Sequence, residues 1–211
     1  MSHNQNARLQ RVAVYYDGFN LYHGIHDLAG RRFLWLDLQL LAKHLIRPGQ
    51  KIEAVRYFTA LIRNNESGLA RQRIYHNALL AQTSVEVVLG RFQEKSCLCF
   101  SCGTTWQAYE EKETDVSIAV SLVEDAVNNR FDTALVISAD SDLCPAMRAI
   151  RRLKPQLRII AVFPPRRRSG ALRRESDAVL HINEIQLRGA QLPDVVQGTG
   201  GRKYRRPAYW S

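Results

Sequence analysis

The chain has 211 residues, 45% hydrophobic and 24% charged, enough for one well-buried core with at most a small appendage. No apolar run approaches the ~20 residues of a membrane helix. The N-terminal Met1-Ser2-His3-Asn4-Gln5-Asn6-Ala7-Arg8 also lacks the apolar stretch of a secretory signal, so a cytoplasmic location without a membrane partner is expected.

In chain order, strands are predicted over 12–16, 52–60, 84–89, 133–138 and 157–163, with helical spacing between them. This alternation predicts an α/β fold with a mainly parallel sheet and crossover helices. Asp37 is expected to cap a helix over 38–46 that Pro48-Gly49 ends, and a further helix covers about 67–82. In the helix over 115–128, Val116, Ala119, Val120, Val123 and Val127 form one apolar stripe, with Thr114 as its expected cap. In the helix over 142–153, Leu143, Ala146, Met147, Ile150 and Leu153 repeat the spacing; Pro145 suits its first turn and Lys154-Pro155 ends it. Residues 1–10 are read as an extension, 11–192 as one domain with a Cys-containing loop or hairpin at 91–112, and 193–211 as a basic-aromatic tail. Gln197-Gly198-Thr199-Gly200-Gly201 is expected to be a flexible spacer within that tail.

Asp140-Ser141-Asp142 follows the apolar run Thr133–Ser138, and Val12-Ala13-Val14-Tyr15-Tyr16 likewise ends in Asp17. Each acid alone has a structural reading. Asp17, Asp140 or Asp142 can cap a turn or helix, and Asp115 favours the dipole of the helix it opens. Together, however, they gather negative charge at strand ends or helix starts, and like charges repel unless a cation lies between them. Ligands collect at this edge of open α/β sheets. Hard oxygen donors of this kind suit Mg²⁺ or Mn²⁺. Asn20, one helical turn beyond Asp17, would share its face and contact a water or phosphate.

The segments Val14-Tyr15-Tyr16-Asp17-Gly18-Phe19-Asn20, Glu111-Lys112-Glu113-Thr114-Asp115 and Ser138-Ala139-Asp140-Ser141-Asp142 resemble the successive motifs of the NYN domain family, a branch of the PIN-like nuclease superfamily. The resemblance runs from about residue 11 to 182. It implies a single PIN-like domain, a parallel sheet flanked by helices, and an acidic pocket that binds Mg²⁺ or Mn²⁺ and cuts RNA. Asp17, Asp115, Asp140 and Asp142 would be its catalytic and metal-binding acids, beside Asn20. Ser138 and Ser141 would contact phosphate or orient an acid. Ala139 stands where glycine is expected in many relatives.

Cys97, Cys99 and Cys102 offer three zinc donors within six residues, whereas a structural zinc takes four. His76 or a partner subunit would have to complete the site, so a reduced hairpin without Zn²⁺ is the favoured expectation. Cys144 reads as a buried apolar residue. The six histidines form no nucleophile–base arrangement. The net charge of +10 is uneven: from Arg166 onward ten Lys or Arg face four Asp or Glu, and before it twenty face sixteen. Arg166, Arg167 and Arg168 follow the last strong strand, where guanidiniums would meet phosphate, and Arg173 and Arg174 extend the patch. Arg202-Lys203-Tyr204-Arg205-Arg206 with Tyr209 and Trp210 suits a single strand, or is a solvated end.

The expected function is therefore a metal-dependent ribonuclease with single-stranded RNA as partner. A non-catalytic RNA-binding module and a metal-dependent phosphatase on small phosphoesters compete with it, and the sequence leaves a homo-oligomer open.

Overall fold

A computed structural model describes residues 8–63 and 65–210; for 92–95 and 106–112 it describes the backbone without the side chains. Most of the predicted 1–10 extension therefore lies outside the described residues. In chain order the elements are β1 (Gln10–Asp17), α1 (Gly18–Ala29), α2 (Leu38–Leu45), β2 (Gln50–Ala60), α3 (Glu66–Gln82), β3 (Glu86–Leu98), β4 (Thr105–Lys112) and α4 (Thr114–Val127). They continue with β5 (Thr133–Ile137), α5 (Cys144–Leu153), β6 (Arg158–Phe163), α6 (Gly170–Glu175), β7 (Ala178–His181), α7 (Glu184–Gly189), β8 (Val195–Gln197) and β9 (Lys203–Arg205).

Seven strands form one sheet in the order β4-β3-β2-β1-β5-β6-β7. Six of them run parallel, and β4 returns antiparallel along β3. The period of two along each strand divides the core between two faces. Val12, Val14 and Tyr16 of β1 join α1, α2, α3 and α7, whereas Ala13 and Tyr15 join α4, α5 and α6. Strands covered on both faces read as continuous apolar runs, which is why β1, β5 and β6 were legible.

Two helix readings need correction. The predicted stripe of α4 is largely its outer side: Val116 is 65% exposed and Val120 58%, while Ile118, Leu122 and Ala126 are buried. The helix is apolar nearly all round, so periodicity alone selects the wrong face. Thr114 is the first helical residue rather than the cap; Glu113 holds that place in a left-handed conformation with φ 77°. In α5 the predicted face holds except at its end, where Leu153 is exposed.

The tail reading also changes. Residues 197–201 are not a loose spacer, because β8 and β9 pair as an antiparallel hairpin around them. Arg206 closes this segment. Its side chain donates to the carbonyls of Trp210 at 2.9 Å and Arg32 at 2.7 Å, and Trp210 lies against Trp35 and Tyr75. A cation with several donors and an indole with a large apolar surface supply here what the glycines lack.

Candidate functional site

β1 ends at Asp17 and β5 at Ile137, paired so that Tyr16 faces Ile137; the next residues, Asp17 and Ser138, therefore meet. Asp17 is 2% exposed. Its Oδ1 accepts from the Asn20 amide at 2.9 Å, which caps α1. Its Oδ2 accepts from Asn20 Nδ2 at 2.8 Å and from Ser138 Oγ at 2.7 Å. Asn20 Oδ1 in turn accepts from the Ala139 amide at 3.2 Å, locking the two strand ends together. Ser138 is itself fully buried.

Asp140 is half-buried and Asp142 exposed. The Asp140 amide donates to Ser138 Oγ at 3.0 Å, and Asp140 Oδ1 accepts from the Asp142 amide at 2.9 Å. Asp140 thus does cap the short turn Ser141–Leu143, as its structural reading held. Burial pushes the Asp17 carboxyl above its ordinary range and the nearby Asp140 charge pushes the same way, against the three donors that favour the carboxylate.

Strand register places Asp115 at the same edge. Asp17 is level with Phe58, Ala60 with Gly90, and Arg91 with Lys112, three residues before Asp115. α4 then packs against the Ser141–Leu143 turn. The edge is shared, but among the described residues no three His, Cys, Asp or Glu side chains close into a metal-holding group. The donor chemistry fits a hydrated ion better than a protein cage, since Mg²⁺ takes one or two carboxylates and keeps its waters.

The loop after β6 lies beside this edge, because β6 pairs with β5. Arg167 is committed there to Asp27 of α1 at 2.6 Å, which leaves the exposed Arg166 and Arg168 facing solvent. Arg173 and Arg174 are exposed on α6.

Cys97, Cys99 and Cys102 occupy the end of the β3–β4 hairpin and Cys144 is buried in α5; all four are free thiols. Thr104 Oγ1, 3.3 Å from Cys102 Sγ, favours the thiolate and lowers that thiol to about 7. His76 is instead buried on α3 with its ring against Tyr57 and Tyr75. Burial lowers His76 to about 4, so it is neutral at pH 7.

On the other side of Gly18 lies a cavity of about 390 Å³ between α1, β2, α3 and the C-terminal segment. Gly18 is required by close approach: a Cβ there would stand 2.6 Å from the Phe58 carbonyl oxygen and 2.8 Å from the Tyr57 ring. Tyr57, Tyr75, Trp210, Arg31 and Arg71 line the cavity; of these only Trp210 drew attention in the sequence, because the others come from three separate segments. Asp125 was also missed. This α4 residue is buried with Tyr15 (2.6 Å) and Arg56 as partners, and its signal was an acid on a helix's apolar side.

The chain is 28% identical to the 6-hydroxy-3-succinoylpyridine 3-monooxygenase HspA of Pseudomonas putida, over 89% of this chain and 72% of that protein. A crystal structure of a Vibrio parahaemolyticus protein of unknown function shares the fold with a TM-score of 0.58 and 18% identity, covering 89% of this chain and 99% of that one. The NYN domain model matches residues 11–183, and the chain belongs to the NYN domain family of the PIN-like nuclease superfamily.

Proposed function

We propose that the carboxyl edge of β1 and β5 is the active site of a ribonuclease that hydrolyses RNA phosphodiester bonds with Mg²⁺ or Mn²⁺. One observation carries the reading: a buried Asp17, held by three donors, faces the charge of Asp140 at the strand ends. Two carboxylates sharing a site are relieved by a cation, and fixing one so firmly sets its geometry in advance.

Asp17 and Asp140 would hold the ion directly, and Asp142 and Asp115 would meet it through its waters or position the attacking one. When bound, the ion would stabilise charge building on the phosphate and acidify a water. Asn20 and Ser138 keep Asp17 oriented, Ser141 is available to phosphate, and Arg166 and Arg168 neutralise flanking phosphates.

Purified protein on single-stranded RNA, with Mn²⁺ or EDTA and beside Asp140→Asn, tests the reading. Cleavage is expected only from the unmodified protein with metal; cleavage indifferent to both changes overturns it. Salt-sensitive binding without cutting would favour a non-catalytic RNA module. Activity confined to a nucleotide monophosphate would favour a phosphatase. The name of the Pseudomonas relative describes oxygenation of a hydroxylated pyridine; that chemistry here would leave RNA intact, so the same assay separates it.

A further inference from the structure

The cavity beside Gly18 has a composition that the acidic edge does not use. Its volume of about 390 Å³ falls within the roughly 300–1,000 Å³ of small-molecule sites. The floor and one wall are aromatic: Tyr57 and Tyr75 meet edge to face at 6.4 Å, and Trp210 crosses Tyr75 at 5.9 Å. The mouth is cationic. Arg31, from the turn after α1, lies 4.0 Å from the centre of the Tyr209 ring, and Arg71 of α3 lies 4.4 Å from it. Among the described residues neither guanidinium forms an ion pair with a carboxylate; the shared ring holds both.

Two guanidiniums held on one phenol ring, 4.0 and 4.4 Å from its centre, repel each other, and an anion near both offsets that repulsion. An aromatic interior favours a flat ring, which stacks or meets the walls edge-on. A cationic ring is disfavoured by the same arginines. Gln72, which also lines the cavity, is already committed to Ala60 and Ile62, so it stiffens the wall.

We propose that this cavity binds a planar aromatic ring bearing an anionic group, with the ring between Tyr57, Tyr75 and Trp210 and the anion at Arg31 and Arg71. Two sources share that chemistry, a nucleoside monophosphate and a free aromatic carboxylate. The proposal stands apart from RNA cleavage, and its test is run in EDTA.

Binding is read from tryptophan fluorescence and calorimetry with AMP against adenosine, and benzoate against benzamide. At least one anion is expected to bind about tenfold or more tightly than its neutral counterpart. The tighter of the two anions identifies the source. Arg31→Gln/Arg71→Gln should lose that preference, and Asp140→Asn should keep it. The proposal is overturned if neither anion binds at about 5 mM, a concentration that detects even millimolar affinity. It is equally overturned if the neutral compounds bind as well as the anions, or if the folded double variant retains the preference. Should the double variant fail to fold, the anion–neutral comparison on the unmodified chain decides alone.

Discussion

The two sides of Gly18 solve opposite problems within one sheet edge. Toward β5, a carboxylate is buried and every donor around it is spent on holding it still. Toward β2, rings line a cavity and two guanidiniums stand beside it. A buried charge tolerates only the geometry that satisfies it, whereas an apolar wall accepts any ring of suitable size. If the two proposals hold, the first side suits a fixed reaction geometry and the second a choice among ligands.

The largest expected effect separates the two sides. Asp17→Asn should lower metal-dependent cleavage by about 10²–10³-fold, the scale of losing one preorganised electrostatic group, and leave binding in the cavity unchanged. Parallel loss of both would show that they are one site. Acidification should act on the sides with opposite sign. The lowered His76 means that the unfolded chain binds its proton first, so stability falls as pH drops from about 6.5 to about 4, by roughly 3 kcal/mol. The raised Asp17 means that the folded chain binds its proton first, so that residue adds stability as pH falls from its folded value to the ordinary 3.8. Melting temperatures against pH should show the first slope reduced in His76→Gln and the second reduced in Asp17→Asn.

Gly18→Ala should strain both sides together, with a loss of roughly 1–3 kcal/mol in denaturant unfolding, because the new methyl meets backbone as well as the Tyr57 ring. A smaller change is expected from Ser138→Ala, which removes one donor to Asp17. The acid limb of the cleavage profile should move to higher pH, since the carboxylate loses support. The smallest effect belongs to Arg166→Ala and Arg168→Ala. Each should reduce the slope of log affinity for RNA against log salt by about 1 without altering metal dependence.

How much of this was legible follows from how each feature is encoded. The parallel sheet was readable because its central strands are buried on both faces and so uniformly apolar. Asp17, Asn20, Asp115, Ser138 and the Asp140–Asp142 pair stood out because they lie in short local motifs. The bond from Ser138 to Asp17 was not readable, since only the register of β1 on β5 creates it. The outward face of α4 was misread because valine repeats at the same spacing on a helix with two apolar sides. The cavity was invisible for the reason that most binding sites are: Arg31, Tyr57 and Arg71 are far apart in sequence and individually ordinary. The fold of the C-terminal segment was hidden by its glycines, which also suit a tight hairpin connection.

The bond between Ser138 and Asp17 spans 121 positions, and β1 is flanked by β2 and β5 at the centre of the sheet. During synthesis, then, Asp17 leaves the ribosome long before the strand that orients it. Closing so long a loop must precede the pairing that rewards it, which makes this a slow-folding topology. The acidic edge therefore cannot mature on a nascent chain until β5 has emerged and docked. Any activity it carries arrives late and all at once, with the completed sheet.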